Sequence, residues 1–140
     1  MSKIKAASLI IVITALSFLV TPKIWPMAAG GMRPTAMQLP FFILLSVIES
    51  LSFGVGVWFV IEGKKVLSAQ AAASKKLITW AYLAAAWSLL SWWPHDNFHK
   101  ANGENLQGLI YIEYGFHVTL IIAATILGVF FIRVLKNSKQ

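Results

Sequence analysis

The chain has 140 residues, 58% of them apolar and 12% charged, with no cysteine and a formal net charge of +7. Soluble domains average about 45–50% apolar and about 25% charged residues, and a small fold cannot bury such an excess. An ordinary soluble domain, a disordered chain and a disulfide scaffold are excluded, which leaves one integral membrane domain over residues 1–140.

Four apolar segments follow in order, over residues 4–20, 39–61, 77–93 and 106–132. About 17–25 residues of helix cross a hydrocarbon core. None of the segments alternates polar with apolar residues as a membrane barrel requires. Backbone groups in lipid must be satisfied within the element, so each segment is predicted to be a helix. The expected fold is all-α, an antiparallel bundle of four transmembrane helices.

The first segment follows Lys3 and Lys5 and precedes the small residues Ala28, Ala29 and Gly30, a pattern a secretory signal also shows. Pro22 and Pro26 read instead as loop punctuation after a retained span. The second segment carries Ser46, Ser50 and Gly54 four apart, the third Ala81 and Ala85 with Ala84 and Ser88, and the fourth Gly115, Thr119 and Ala123. Small residues at that spacing let helix backbones approach in lipid. Between the second and third segments, residues 63–76 read as a basic connector.

Basic residues set the orientation. Lys3, Lys5, Lys64, Lys65, Lys75, Lys76, Arg133, Lys136 and Lys139 fall on one side, and Lys23, Arg33 and Lys100 on the other. Both termini are therefore expected in the cytoplasm of a bacterial or archaeal cell, with the first and third loops outside. Trp25, Trp92, Trp93, Tyr111 and Tyr114 fall near the outer boundary, and Trp58, Trp80 and Tyr82 near the inner one. Amphipathic rings favour both levels. This asymmetry explains the positive charge without nucleic acid, which needs a basic stripe in a soluble element. The expected partners are the lipid bilayer and, in one reading, other membrane subunits or further copies of the chain.

Chemistry concentrates at the outer end. His95, Asp96 and His99 lie in the third loop, Glu113 and His117 at the start of the last segment. His95 with His99, and Glu113 with His117, have i, i+4 spacing, which places each pair on one helical face. Pro94 permits a helix to restart there, since proline is tolerated in a first turn. Counting back from Arg133 at about 1.5 Å per residue puts Glu113 near the outer boundary, with His117 deeper and Glu49 of the second segment at a similar depth. Ionisable residues inside spans are costly and mark functional sites. Glu49 is accordingly expected to meet His117.

Neutral imidazoles with carboxylates suit a transition metal. The expected ligands are His95, His99, Glu113 and His117, with Asp96 beside them. Met27, Met32 and Met37 in the first loop would add thioethers and favour copper over zinc. Other roles suit the same residues. His95, Asp96 and His99 fit a hydrated interfacial loop, Glu113 and His117 a structural pair, and a protonated Glu49 could bond Ser46. Three function classes follow: a metal-binding membrane protein with a redox or metal-handling role, an accessory subunit of a larger complex, or a pocket for an apolar molecule with Glu49, Glu113 and His117 as polar hooks.

Overall fold

The computed structural model describes residues 1–28, 33–69, 73–102 and 106–137. All regular elements among them are helices: α1 (Lys3–Ile24), α2 (Leu39–Ser68), α3 (Lys75–Leu90), α4 (Trp92–Asn102) and α5 (Leu106–Asn137). Met32, Ala29, Gly30 and Lys139 lie outside the described residues.

Three helices are long and apolar enough to cross a membrane: α1, α2 and the Leu109–Asn137 part of α5. The third predicted segment divides instead. α3 has 16 residues and stops at Leu90, and after Ser91 the chain restarts as α4. Pro94 accounts for the break, because it has no N–H to offer the Leu90 carbonyl and its ring crowds that carbonyl. The restart is secured by the His95 N–H, which donates to the Ser91 carbonyl at 3.1 Å. Pro22 behaves otherwise than expected and sits inside α1 rather than beyond it. It falls in the last turn, where one lost bond is tolerated, and the Trp25 N–H still donates to the Thr21 carbonyl at 2.8 Å.

The principal packing runs in a row: α1 on α2, α2 on α3, and α3 on α5, with α4 crossing the end of α2 and α3. Two glycines of α2 explain how it fits between its neighbours. A Cβ at Gly54 would lie 2.8 Å from the Ile10 carbonyl of α1, and one at Gly56 2.8 Å from Leu90 of α3. Two residues apart on a helix means nearly opposite faces, so Gly54 admits the backbone of α1 and Gly56 the Leu89 and Leu90 side chains at the end of α3. On α3 and α5 the predicted small residues Ala81, Ala84 and Ala123 are buried. Gly115 departs from that pattern, with open space where its Cβ would stand.

Side-chain bonds to backbone and hydroxyl groups tie the row together. Ser52 donates to the Leu89 carbonyl at 2.9 Å, Tyr82 to the Val60 carbonyl at 2.8 Å, and the Trp87 indole to Thr119 of α5 at 3.1 Å. The Trp93 indole donates to Thr21 of α1 at 3.0 Å, which anchors α4. The Met1 amino group lies 3.4 Å from Glu62 near the end of α2. Ile78 and Ala81 of α3 pack with Phe130 of α5, with Leu67 of α2 against them. The chain start, the end of α2, the start of α3 and the end of α5 thus share one end of the molecule, and α4 occupies the other.

Candidate metal centre

α4 is where the polar residues gather, and it sorts them onto two faces. His95 and His99 are one turn apart and face α5. Asp96 and Lys100, offset by one residue, are rotated by about 100° and face α2.

On the first face both imidazoles converge on one carboxylate oxygen. His95 Nε2 lies 2.9 Å from Glu113 Oε1, and His99 Nε2 bonds the same atom. One ligand atom from each of His95, His99 and Glu113 falls within 4.8 Å of the others. Tetrahedral ligands about 2.0–2.1 Å from an ion are roughly 3.3 Å apart, so small side-chain rotations would seat one. The arrangement is braced from behind. The His95 ring stacks on Phe116 with centroids 3.6 Å apart and planes 12° from parallel, and lies edge-on to His99 at 4.8 Å. Burial lowers the His95 pKa from its ordinary 6.5, outweighing the opposing pull of Glu113. A neutral imidazole is the form that ligates metals.

The remaining predicted ligands are placed elsewhere. His117 stands beside the trio, 59% exposed, with Nδ1 donating to the Glu113 carbonyl at 2.8 Å. Its ring centroid is 5.8 Å from that of His95. Asp96 turns away, its carboxylate 2.6 Å from Lys100 Nζ.

On the second face Lys100 bridges two acids. Its ammonium also donates to Glu49 Oε2 at 3.1 Å, with Glu49 only 4% and Lys100 18% exposed. Glu49 therefore meets Lys100 and not His117. Burial works against ionising Asp96, but hydrogen bonds with Glu49 and Lys100 and the ammonium charge together outweigh it, and its pKa falls below the ordinary 3.8. Asp96 and Lys100 form an i, i+4 pair, a spacing that brings opposite charges together on a helix, so that much of the cluster could have been read from sequence.

Two cavities flank α4. The larger, about 770 Å³, is bounded by α3, α4 and α5 and takes His95 and Phe116 into its wall. The smaller, about 270 Å³, lies between α1, α2 and α4 around Glu49, Asn97 and Lys100. Trp25 lines both. Met27 lines the smaller one and Met37 is exposed, so neither thioether lies among the residues of the His95 face. Glu113 and His117 line neither cavity. Sequence reasoning gave no role to Ser91 or Asn97, whose Oγ and Oδ1 are buried without a hydrogen-bond partner among the described residues. Comparison of the chain with family models, curated proteins and solved structures finds no match.

Proposed function

We propose that this chain is a membrane-embedded metal protein, with His95, His99 and Glu113 holding one divalent transition ion at the outward end of the helices. The observation that carries the reading is the convergence of two imidazole nitrogens on a single Glu113 oxygen. Two nitrogens and an oxygen, with no thioether beside them among the described residues, favour zinc over copper, because soft sulfur ligands select copper(I). Three protein ligands leave a fourth position open, the pattern of zinc sites that polarise a bound oxygen. His117 is near enough to supply that fourth ligand through Nε2 after a rotamer change.

The reading also takes α3 as a crossing, which makes four. Its support is the packing row: α3 lies between α2 and α5, both long enough to span. Sixteen residues cover about 24 Å, and Ser91, Trp92 and Trp93 extend that towards the roughly 30 Å of the hydrocarbon core. The balance of nine basic residues against three supports cytoplasmic termini. Reporter fusions should read outside at residue 102 and inside at residue 71; the opposite pattern would overturn the orientation.

The decisive measurement is elemental analysis of detergent-purified protein. Wild type is expected to hold about one zinc per chain, and a His95→Ala, His99→Ala variant none. Equal metal in the two proteins would refute the site. Copper in place of zinc would keep the site and correct the ion.

A further inference from the structure

The larger cavity has a chemical character that bare lipid contact does not explain. Its walls are mainly apolar and include the rings of Trp87, Phe98 and Phe116, the last with one face already stacked on His95. Its volume of about 770 Å³ lies within the range of small-molecule sites, roughly 300–1,000 Å³. His95, Thr119 and Ser91 break the apolar lining. His95 shares its other edge with the trio around Glu113. The Thr119 hydroxyl is already engaged, donating to the Gly115 carbonyl at 2.8 Å and accepting from the Trp87 indole at 3.1 Å. Ser91 is different. It is 6% exposed, lines the cavity, and its hydroxyl has no hydrogen-bond partner among the described residues. A buried hydroxyl without a partner keeps an uncompensated desolvation cost, and an acyl chain from the bilayer cannot satisfy it. The Trp25 indole N–H, on the same wall, is also buried without a partner.

Gly115 adds an independent observation. It lines the cavity from α5, and a Cβ there would meet nothing within 4 Å. A glycine in a membrane helix commonly serves close helix packing. Here no neighbouring helix takes up the space, and what the glycine leaves is room.

We propose that the cavity binds a lipid-soluble aromatic ring bearing one hydroxyl or carbonyl oxygen, with the oxygen at Ser91 and the ring lying along Phe116 beside His95. Ser91 Oγ is buried in the cavity wall and would turn about χ1 to meet the ligand; a hydroxyl would then donate to it or accept from it, whereas a carbonyl would accept only. The aromatic lining favours an offset-stacked or edge-on ring over a flexible chain. Ser91 and His95 are one turn apart, so the polar end of the ligand is held against the α4 wall, the wall that also carries His99. Binding does not depend on a metal being present; that the ligand would lie next to an ion rests on the metal-site reading above.

The test is equilibrium binding to the full chain in lipid nanodiscs, with radiolabelled 2-naphthol as probe and naphthalene and 1-decanol as controls. Saturable binding of 2-naphthol at one site per chain is expected, at least tenfold tighter than either control. Gly115→Leu, which fills open space, should weaken it at least tenfold. Ser91→Ala removes the hydroxyl at almost constant volume and should bring 2-naphthol down to the affinity of naphthalene. His99→Ala should lose metal yet keep 2-naphthol affinity within twofold, which separates failure of this proposal from failure of the metal site. Equal affinity for naphthol and naphthalene in the wild type would reduce the cavity to an apolar groove and overturn the proposal. So would 1-decanol binding as tightly as 2-naphthol, an unaffected Gly115→Leu or Ser91→Ala variant, or loss of naphthol binding in His99→Ala.

Discussion

The two faces of α4 use the same spacing to opposite ends. His95 and His99 reach one carboxylate on α5, and Asp96 and Lys100 meet one on α2. On the α2 side the cation is already supplied: the Lys100 ammonium lies between two acids. On the α5 side two imidazoles bring lone pairs to a carboxylate. The first set is complete without any ligand and acts as a lock between helices, while the second is an electron-rich cluster that gains from a cation. Residue type decides between lock and site, since spacing is identical.

Breaking the lock should produce the largest effect. Lys100→Met keeps much of the stem but removes the ammonium that Glu49 and Asp96 share, and leaving a buried polar group without its hydrogen-bond partner costs about 1–3 kcal/mol. Unfolding in a denaturing detergent titration should show that loss, whereas His99→Ala should cost under about 1 kcal/mol in metal-free protein. A Lys100→Met protein as stable as wild type would show that the α2 face is not a lock.

The next comparison exchanges charge for shape on each face. Glu113→Gln preserves volume and removes the anionic ligand, and zinc affinity measured by chelator competition should fall at least tenfold. Asp96→Asn should change it by less than twofold, because Asp96 is engaged with Lys100. A matching loss in both variants would mean that Asp96 contributes to the metal site after all.

Acid should separate the faces more gently. His95 has its folded pKa below the ordinary 6.5, so the unfolded chain takes up a proton first as pH falls. The associated stability is complete above 6.5 and is lost as pH drops through the lower folded value. Asp96 is also depressed, below 3.8, and its share persists until pH falls under that value. Zinc content should decline below about pH 6.5, as protons compete for imidazole nitrogen. The melting temperature of metal-free protein should fall in two stages, a first one below 6.5 and a second below 3.8. One merged step would show that the faces are not separate.

Much of the helical architecture was legible in the sequence, because long apolar runs without alternation leave no other element for lipid. The His95–His99–Glu113 cluster was legible too, since i, i+4 spacing and a short connection confine those side chains. The partner of Glu49 was not. Depth along a helix can be counted from sequence, but the direction a residue faces around the axis depends on packing, here on Gly54 and Gly56 setting α2 between α1 and α3. Lys100 was also counted as an outer-loop charge, although a four-carbon stem lets an ammonium reach some distance from its backbone. His117 shares a face with Glu113, yet its ring nitrogen is taken by the Glu113 carbonyl, a competition that residue spacing does not reveal.

Trp25, near the end of α1, is edge-on to Trp93 and Phe98 and forms part of the wall of both cavities. α1 gives no ligand to the His95 face and could pass for a detachable anchor. Yet Thr21 holds the Trp93 indole, and the Trp25 ring lines the spaces on both sides of α4. Excising α1 would open the smaller space along one side and leave α4 without its brace. The smallest fragment that could keep this arrangement in shape is therefore not the α3–α5 stretch that carries His95, His99 and Glu113, but the chain from α1 onward.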